Sequence, residues 1–461
     1  MHYYKVIIAH ALLTIGTLNA TAQNTKEIND QNTPLHLMQP EYQTPYNIPT
    51  ETEVKHTIDR VLTFLENAMP AKVQDNKLMQ GSLRLTSYEA GVLYAAMLNT
   101  GATTGDKRYT SFTTDRLSLI AKQAKEEAKA LDKDKTYDKQ MRMVLYPGAL
   151  DDCGAMASAY FRMEQMMPNM TFNDVTNRYI NFVRHKQYRL QDGIFARLRP
   201  HSNTVWLDDM YMGVPCMAWY GVVNNDASAI DDAIKQIELF KKRMWVEEKQ
   251  LFRHGWVESM NPHPAYHWGR ANGWALLTMC EVLDALDAAQ NADGVKKQYD
   301  YVLTLFKKHL EGLSVLQDKT GFWHQLLDRP DTYLETSCTA LYTYCMAHAI
   351  NKGWVDAQAY GAQALLAWQA CSTMVNNKGQ VEGTCVGTGM AFDPAFYAYR
   401  PVHVMAAHGY GPVIWAGGEI IKMLKTTHPK MNDSAIRFYK KQQETDKPIF
   451  NEDNANTDIL W

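Results

Sequence analysis

The sequence predicts an all-α protein, an (α/α)6 barrel in which six helical hairpins form two concentric rings. Three observations support this fold. Helical hydrophobic patterns follow one another along most of the chain, and two kinds of helix alternate. Polar or aromatic residues also recur near the start of every second helix, at intervals of roughly 55 to 75 residues. A chain with such a quasi-repeat buries its apolar helices by closing into one ring.

The outer ring is predicted from six segments that are interpreted as amphipathic, five of which carry charged residues. In one of them, Ile230, Ile234 and Ile237 follow the i, i+4, i+7 spacing of a helix with one solvated face. The six segments are residues 54–69, 114–131, 173–183, 230–244, 295–310 and 357–374.

The inner ring is predicted from six segments that are apolar on nearly all sides, and such helices are expected to be buried. They are residues 88–98, 152–166, 208–222, 270–286, 335–350 and 410–423. Small residues such as Gly91 and Gly154 would allow these helices to pack closely. Each segment begins at or near one of six markers: Tyr88, Asp152, Asp208, Arg270, Glu335 and His408. Because all inner helices of such a barrel start at the same end, the markers are expected to meet in one pocket.

The connections that lead to this end carry glycine and aromatic residues. Residues 192–195, 251–256 and 321–324 have the pattern of short strands that precede a loop. Loops on a rigid scaffold commonly carry binding residues.

The two ends of the chain are expected to lie outside the barrel. Lys5, an apolar run over residues 6–18 and the small-x-small site Ala20-Thr21-Ala22 predict a cleavable signal peptide over residues 1–22. No cysteine follows to accept a lipid, so we expect a periplasmic or secreted protein without membrane insertion. Residues 23–49 are interpreted as an extended lead-in, 50–430 as the catalytic barrel and 431–461 as a C-terminal tail.

Composition and cysteine usage exclude several functions. The net charge is −3 and no stripe of basic residues occurs, which argues against binding to nucleic acid. Six of the seven cysteines fall in apolar helical runs, which favours buried free thiols. No Cys-x-x-Cys spacing occurs, and we expect no metal and no cofactor. The oligomeric state stays open.

Paired carboxylates are the first chemical signal. Asp151-Asp152 and Asp208-Asp209 each precede an apolar helix. One Asp of each pair can be an N-terminal cap, but capping does not explain two carboxylates in a row at two places. Glycoside hydrolysis uses a pair of carboxyl groups. We expect burial and mutual repulsion to raise the pKa of one of them.

The stretch Trp268-Gly269-Arg270, followed by Trp274, is the second signal. Arg270 can make a structural ion pair, or it can hold a sugar carboxylate while the indole rings stack on the sugar. His254 and His408 fit either the core or the site. Glu335 fits a helix cap.

These motifs resemble the unsaturated rhamnogalacturonyl hydrolases of glycoside hydrolase family 105, which are related to the unsaturated glucuronyl hydrolases of family 88. The resemblance rests on Trp206-Leu207-Asp208 and Trp268-Gly269-Arg270 with Trp274, and extends over roughly residues 58–424. It implies an (α/α)6 barrel and a metal-free hydrolase. Leu150-Asp151-Asp152-Cys153-Gly154 and His408-Gly409-Tyr410-Gly411-Pro412 add support.

The resemblance also implies roles for individual residues. Asp208 is then the general acid and base, and the second carboxylate is Asp151 or Asp152, with Asp152 favoured by its Asp-x-Gly pattern. The residues implied in substrate binding are Trp206, Trp268, Arg270, Trp274, His254 and Tyr88.

The implied reaction releases a 4,5-unsaturated uronic acid, here an unsaturated galacturonyl group, from the non-reducing end of lyase products such as rhamnogalacturonan fragments. The C4=C5 bond is hydrated in this reaction. An unsaturated glucuronyl hydrolase acting on arabinogalactan, ulvan or glycosaminoglycan fragments is the alternative. An ordinary inverting hydrolase, a sugar epimerase and a non-catalytic glycan-binding toroid are the further alternatives.

Overall fold

The computed structural model describes residues 47–134, 139–289, 294–432, 435–443 and 459. The predicted signal peptide, nearly all of the lead-in and most of the C-terminal tail lie outside these residues. The described part is dominated by helices that run from residue 51 to residue 427. None of the described helices is long and apolar enough to cross a membrane.

Six helices form a closed inner ring, as the sequence predicted. Each packs against the next, and the last packs against the first. In ring order they are α2 (Tyr88–Thr104), α5 (Leu150–Met166), α7 (Asp208–Asn224), α9 (Gly269–Ala288), α11 (Thr336–Asn351) and α14 (Tyr410–Thr427).

Six helices form the outer ring, each packed against an inner helix. They are α1 (Glu51–Ala68), α3 (Lys107–Asp134), α6 (Asn173–His185), α8 (Ala227–Met244), α10 (Val295–Ser314) and α12 (Ala357–Thr373). The first outer helix, α1, packs against the last inner helix, α14. The all-α barrel of six hairpins is thereby confirmed. Two short helices that the sequence did not predict, α4 (Lys139–Leu145) and α13 (Pro394–Ala398), lie in connections.

Local sequence explains where the helices begin and how closely they pack. Thr50 and Glu53 form a reciprocal capping box at the start of α1. The inner helices approach each other through glycines. A Cβ atom at Gly154 would overlap the carbonyl oxygen of Met212 on α7, and one at Gly91 would overlap the backbone of α5.

Short antiparallel strands occupy the connections. The pairs are β1 (Val73–Gln74) with β2 (Lys77–Leu78), β3 (Thr204–Trp206) with β6 (Gly255–Val257), β4 (Trp245–Val246) with β5 (Leu251–Phe252), β7 (Trp323–His324) with β8 (Leu334–Glu335), and β9 (Lys430–Met431) with β10 (Ile436–Arg437). The strands predicted within 251–256 and 321–324 are therefore present. In 192–195, only Phe195 takes part in an isolated bridge, with Arg189, so the prediction of a strand there is wrong.

A network of buried charges lies toward the C-terminal ends of the inner helices. Arg162 on α5 reaches across to Glu281 on α9 at 2.5 Å. Nearby, the His348 Nε2 atom donates to Asp284 at 3.1 Å, and the Nδ1 atom lies 3.2 Å from Glu419. Burial opposes protonation of His348, but the two carboxylates outweigh it and raise the pKa of the imidazole well above its usual value. The network therefore connects α9, α11 and α14 through a charged histidine.

Candidate active site

A two-stranded sheet brings Asp208 and His254 together. Strand β3 leads directly into α7, and its Trp206 pairs with Gly255 of β6. The backbone N–H of Leu207 donates to the carbonyl of His254 at 2.9 Å. This register places the His254 Nε2 atom 2.9 Å from Asp208 Oδ2, at the first residue of α7. Two residues that are 46 positions apart thus form one polar pair.

The surroundings of Asp208 favour its ionised form. Burial raises the pKa of this carboxyl, but His254, Arg197 and Arg270 outweigh burial and hold the pKa below its usual range. The Asp208 side chain is 14% exposed, so it can still be reached from outside the barrel. The raised pKa expected for one Asp of the pair falls on its neighbour Asp209, whose pKa burial raises to about 6 despite Arg197.

Arg197 connects the two aspartate pairs. Its guanidinium donates to both carboxylate oxygens of Asp209, at 2.6 and 2.9 Å, and lies 3.2 Å from Asp151. Asp209 is buried, whereas the Asp151 side chain is 34% exposed. Asp151 therefore presents a partly accessible carboxylate beside Asp208, and Arg197 neutralises part of the local negative charge.

The structure does not bring Asp152 into this cluster. Its Oδ2 atom accepts the backbone N–H of Gly148 at 2.8 Å, and its nearest cation is Arg142 at 3.8 Å. Asp151 and Arg162 are eleven positions apart on α5, a spacing that puts both side chains on the same face of the helix. This face is directed into the barrel, since Arg162 contacts Glu281 on α9. Asp152 lies about 100° away from that face. Of the two alternatives, Asp151 is the carboxylate that points to the site.

Aromatic rings surround the pair of Asp208 and His254. Trp268 lies 4.6 Å from the His254 ring, and Trp206 lies 6.3 Å from it, measured between centroids. Trp274 stacks on Tyr211 at 5.2 Å. Since Tyr211 follows Asp208 by three positions on α7, these two buried rings lie about one helical turn further along α7 than Asp208. The Nε1 atoms of Trp206 and Trp268 are buried and have no partner among the described residues.

Arg270 holds a neighbouring segment of backbone. Its guanidinium lies 4.5 Å from the Trp268 ring and donates to the carbonyls of Cys385 and Val386 at 2.7 and 2.8 Å. Glu335 caps α11 by accepting the N–H of Cys338, and it also accepts the N–H of Cys385 at 2.9 Å. Arg270 and Glu335 thus fasten the connection between α12 and α14 beside the site. The expected role of Glu335 as a cap is confirmed.

Tyr88 and His408 meet at the start of α2. The Tyr88 hydroxyl lies 2.5 Å from His408 Nε2, and Glu89 lies 3.5 Å from the same nitrogen. Burial, reinforced by Arg270, lowers the pKa of His408 well below its usual value, so the imidazole is neutral. Burial is the main reason that the pKa of the Tyr88 hydroxyl is raised well above its usual value. The negative charges of Glu89, Asp151 and Asp208 add to this rise. Tyr88 therefore belongs to the same electrostatic environment as the two aspartates.

Two residues of the cluster carry no signal in the sequence. Arg197 lies in a loop without a motif, and only the folded chain shows that it contacts both aspartate pairs. Tyr397, whose hydroxyl lies 2.6 Å from His254 Nδ1, comes from α13, 143 residues further along the chain. A tyrosine in a helical pattern is usually assigned to the core, so its contact with the site could not be read from the sequence.

The ligands that a metal needs are not assembled here. Within the described residues, no group of three or more His, Cys, Asp or Glu side chains is arranged to hold a metal ion. All seven cysteines are buried and free. A cavity of about 390 Å³ adjoins the cluster and is lined by Arg197 and Asp209 together with residues 148–150 and 186–188. What the site offers is carboxylates, arginines and aromatic rings, a combination suited to acid–base chemistry on a sugar.

Comparison with known proteins agrees with this chemistry. The unsaturated rhamnogalacturonyl hydrolase YesR of Bacillus subtilis is 26% identical over 250 residues, which are 53% of this chain and 69% of that protein. The unsaturated 3S-rhamnoglycuronyl hydrolase of Formosa agariphila is 26% identical over 230 residues, which are 58% of its length.

The fold is also found among solved structures. The structure of a possible family 105 member from Salmonella enterica superposes with a TM-score of 0.65 at 20% identity, covering 84% of this chain and 98% of that one. The sequence model of glycosyl hydrolase family 88 matches residues 57–424 of this chain. This range contains five of the inner helices completely, and the sixth, α14, as far as residue 424. The chain belongs to glycosyl hydrolase family 88.

Proposed function

We propose that this enzyme removes a 4,5-unsaturated uronic acid, an unsaturated galacturonyl group, from the non-reducing end of lyase-generated oligosaccharides such as rhamnogalacturonan fragments. The observation that carries the proposal is the Asp208 carboxylate, held by His254 and enclosed by Trp206 and Trp268. The names of the relatives from Bacillus subtilis and Formosa agariphila support an unsaturated uronyl substrate.

Binding of the substrate prepares Asp208 to act as an acid. In the free enzyme this carboxyl is ionised near neutral pH, because its pKa is lowered. The uronic acid brings its own carboxylate into the buried site, and a nearby like charge raises the pKa of an acid. We therefore expect Asp208 to take up a proton as the sugar binds. Since its Oδ2 atom accepts a hydrogen bond from His254, the proton is carried on the other oxygen.

The reaction then runs through hydration of the double bond. Asp208 donates its proton to C4, and the electrons of the double bond form the new C–H bond, which leaves an oxocarbenium at C5 and the ring oxygen. Water adds to C5 and returns a proton to Asp208. The hemiketal opens to a ketone at C5, and the hemiacetal at C1 collapses to an aldehyde and the free aglycone. Substrate and one water are consumed, and the acid is regenerated.

Asp151 is proposed as the second carboxylate. Its partly exposed side chain is directed to the site, and its Oδ2 atom lies 3.2 Å from Arg197. A carboxylate oxygen here can accept hydrogen bonds from a sugar hydroxyl or from the attacking water. Trp206, Trp268 and Trp274 are proposed to contact the apolar face of the sugar and Tyr88 its polar edge. His254 is proposed to take part in substrate binding by holding the Asp208 carboxyl toward the sugar.

Loss of absorbance tests the function, because hydration destroys the conjugated double bond. The wild-type protein is expected to bleach an unsaturated galacturonyl-rhamnose disaccharide, and Asp208→Asn to be slower by at least about 1000-fold. Unchanged activity of Asp208→Asn would overturn the assignment. A preference for unsaturated glucuronyl disaccharides in the same assay would replace the galacturonyl substrate with the glucuronyl one.

The neighbouring aspartates supply a matched pair of variants. Asp151→Asn is expected to lower kcat/KM by about 100-fold or more, within the range seen for groups that act in general acid–base catalysis. Asp152→Asn removes the same charge from the adjacent position, which faces Gly148, and is expected to stay within about threefold of wild type. The opposite order of effects would assign the second carboxylate to Asp152.

The site of action is a further proposal. Residues 1–22 have the pattern of a signal peptide, which supports a periplasmic or secreted enzyme. Cell fractionation of the expressed full chain, with sequencing of the mature N-terminus, tests this: a cytoplasmic protein with an intact N-terminus contradicts it.

A further inference from the structure

A chain of three side chains leads away from the reacting carboxylate. His254 Nε2 lies 2.9 Å from Asp208 Oδ2, and on the other side of the ring Nδ1 lies 2.6 Å from the hydroxyl of Tyr397. Tyr397 is fully buried and has no exposed surface through which it could touch a sugar. Its hydroxyl therefore acts on the reaction through the groups it contacts, which are His254 on the side of the site and the backbone N–H of Ala391 on the other.

The direction of the hydrogen bonds is defined by a third partner. The Tyr397 oxygen accepts the backbone N–H of Ala391 at 3.0 Å, and among the described residues the acceptor within reach of its own O–H is His254 Nδ1, so the O–H donates to that nitrogen. An imidazole whose Nδ1 atom accepts must carry its hydrogen on Nε2. That hydrogen points at the Asp208 carboxylate, so this tautomer is the one in which His254 donates to Asp208.

Tyr397 is itself rigidly held. Its ring packs against those of Tyr266 at 5.7 Å, Trp268 at 6.3 Å and Phe396 at 5.7 Å. It lies on α13, which begins with Pro394 in its first turn and is capped by the Asp393 side chain. Five residues thus fix the ring and its helix next to the site.

The connection that carries α13 is fastened at a second point. Arg270 donates to the carbonyls of Cys385 and Val386, and Glu335 accepts the N–H of Cys385. Arg270, Glu335 and Cys385 are buried and Val386 is half-buried, and these contacts fasten the connection between α12 and α14 beside the site.

We propose that Tyr397 is a positioning residue of the hydration reaction, which sets the tautomer and the ring orientation of His254 and thereby the orientation of the Asp208 carboxyl. This inference rests on the proposed function. The alignment matters because a carboxylic acid must present its proton to C4 from above the plane of the double bond. With Oδ2 bound to His254, the rotation of the Asp208 carboxyl is restricted and its other oxygen faces the sugar.

Tyr397→Phe tests the proposal, since it removes one oxygen and keeps the ring. Loss of a group that orients a reacting residue typically lowers activity by about 10- to 100-fold. We expect this loss in kcat, with KM changed by less than about twofold, because Tyr397 does not touch the substrate. Tyr266→Phe is the matched control: it removes a hydroxyl that donates to the carbonyl of Phe392 in the same connection, and it should leave kcat near wild type.

The pH dependence of kcat/KM supplies a second test, because a purely structural role of Tyr397 would not shift it. The hydrogen bond from His254 helps to keep the pKa of Asp208 low. When His254 is released in Tyr397→Phe, the pKa of Asp208 rises, so the alkaline fall of kcat/KM moves to higher pH. In Tyr266→Phe the profile should coincide with that of the wild-type enzyme.

A double variant separates action through His254 from an independent effect. In a His254→Gln background, adding Tyr397→Phe is expected to change kcat by less than about twofold, since coupled residues are not additive. The same 10- to 100-fold loss in both backgrounds would overturn the proposal, as would a kcat for Tyr397→Phe equal to that of Tyr266→Phe. A wild-type protein that fails to bleach any unsaturated disaccharide would instead overturn the proposed function.

Discussion

The charged His348 at the far end of the barrel leads to a prediction with a defined size and pH dependence. His348→Gln leaves Asp284 and Glu419 buried without the cation that lies 3.1 and 3.2 Å from them. Removing one partner of a buried ion pair costs about 3 to 5 kcal/mol. Each carboxylate keeps another neighbour: Lys352 lies 3.0 Å from Asp284, and Asn351 donates to Glu419 at 2.7 Å. We therefore expect the lower end, about 3 kcal/mol of unfolding free energy near pH 6.

The sign of the pH dependence follows from the pKa shifts. The folded-state pKa of His348 is raised, so its stabilisation is complete below the unfolded-state pKa of about 6.5 and is lost as pH rises through the folded value. Asp284 and Glu419 have lowered pKa values, so their contribution is lost as pH falls below about 4. The difference between variant and wild type is therefore largest between about pH 5 and 6.5 and shrinks in alkaline solution.

His309 provides a matched control of opposite sign. It is buried, and within the described ranges no carboxylate pairs with its ring. Its Nε2 atom lies 3.0 Å from the Asn272 side chain, and burial lowers its pKa to about 3. Keeping this imidazole neutral costs stability as pH falls below about 6.5. His309→Gln should thus be most harmful near pH 8 and less so at pH 5. Urea unfolding of both variants across this range measures the two trends. Parallel pH dependences, or a His348→Gln variant within about 0.5 kcal/mol of wild type at pH 6, would refute the reasoning.

Two further predictions concern packing and the connection beside the site. Gly154→Ala places a methyl group against the carbonyl of Met212 and should lower the unfolding free energy by at least about 1 to 3 kcal/mol. Gly387→Ala, with open space around it, is the control and should change the unfolding free energy by less than about 0.5 kcal/mol. Equal values for the two variants would show that α5 and α7 are free to separate. Arg270→Lys loses the paired hydrogen bonds to the carbonyls of residues 385 and 386. We therefore expect kcat/KM to fall by about 100-fold and limited proteolysis to cut within 385–393 faster than in wild type. An active variant that is not cut faster would contradict this.

The ring architecture could be predicted because it is encoded locally. An inner helix such as α7 is apolar on every side, whereas an outer helix such as α8 has one charged face. This contrast holds for five of the six hairpins, since the outer helix α12 carries no charged side chain. The markers at the helix starts then had to meet, and Asp208, Arg270 and Tyr88 do lie at the same end. The helical period does not depend on distant contacts, so it can be read from the sequence alone.

The details of the site could not be predicted because they depend on contacts across loops. The Asp-x-Gly pattern favoured Asp152, but the helix phase of α5 directs Asp151 to the pocket. Arg197 and Tyr397 come from connections whose course is set by tertiary packing. The direction of the Asp208 pKa shift was likewise inaccessible, because it depends on how near the two arginines and His254 come to a buried carboxyl.

The closure of the ring has a consequence for how the chain reaches its native state. Helix α14 packs against both α1 and α2, although more than 300 residues of chain separate it from each of them. While a ribosome is still producing the chain, the sides of α1 and α2 that contact α14 in the folded protein lack that partner. Contacts between such distant parts of a chain slow folding and leave intermediates that are prone to aggregate. We therefore expect nascent chains that end before residue 410 to aggregate or to bind chaperones, and the native state to form in one late, concerted step once the last inner helix has been made.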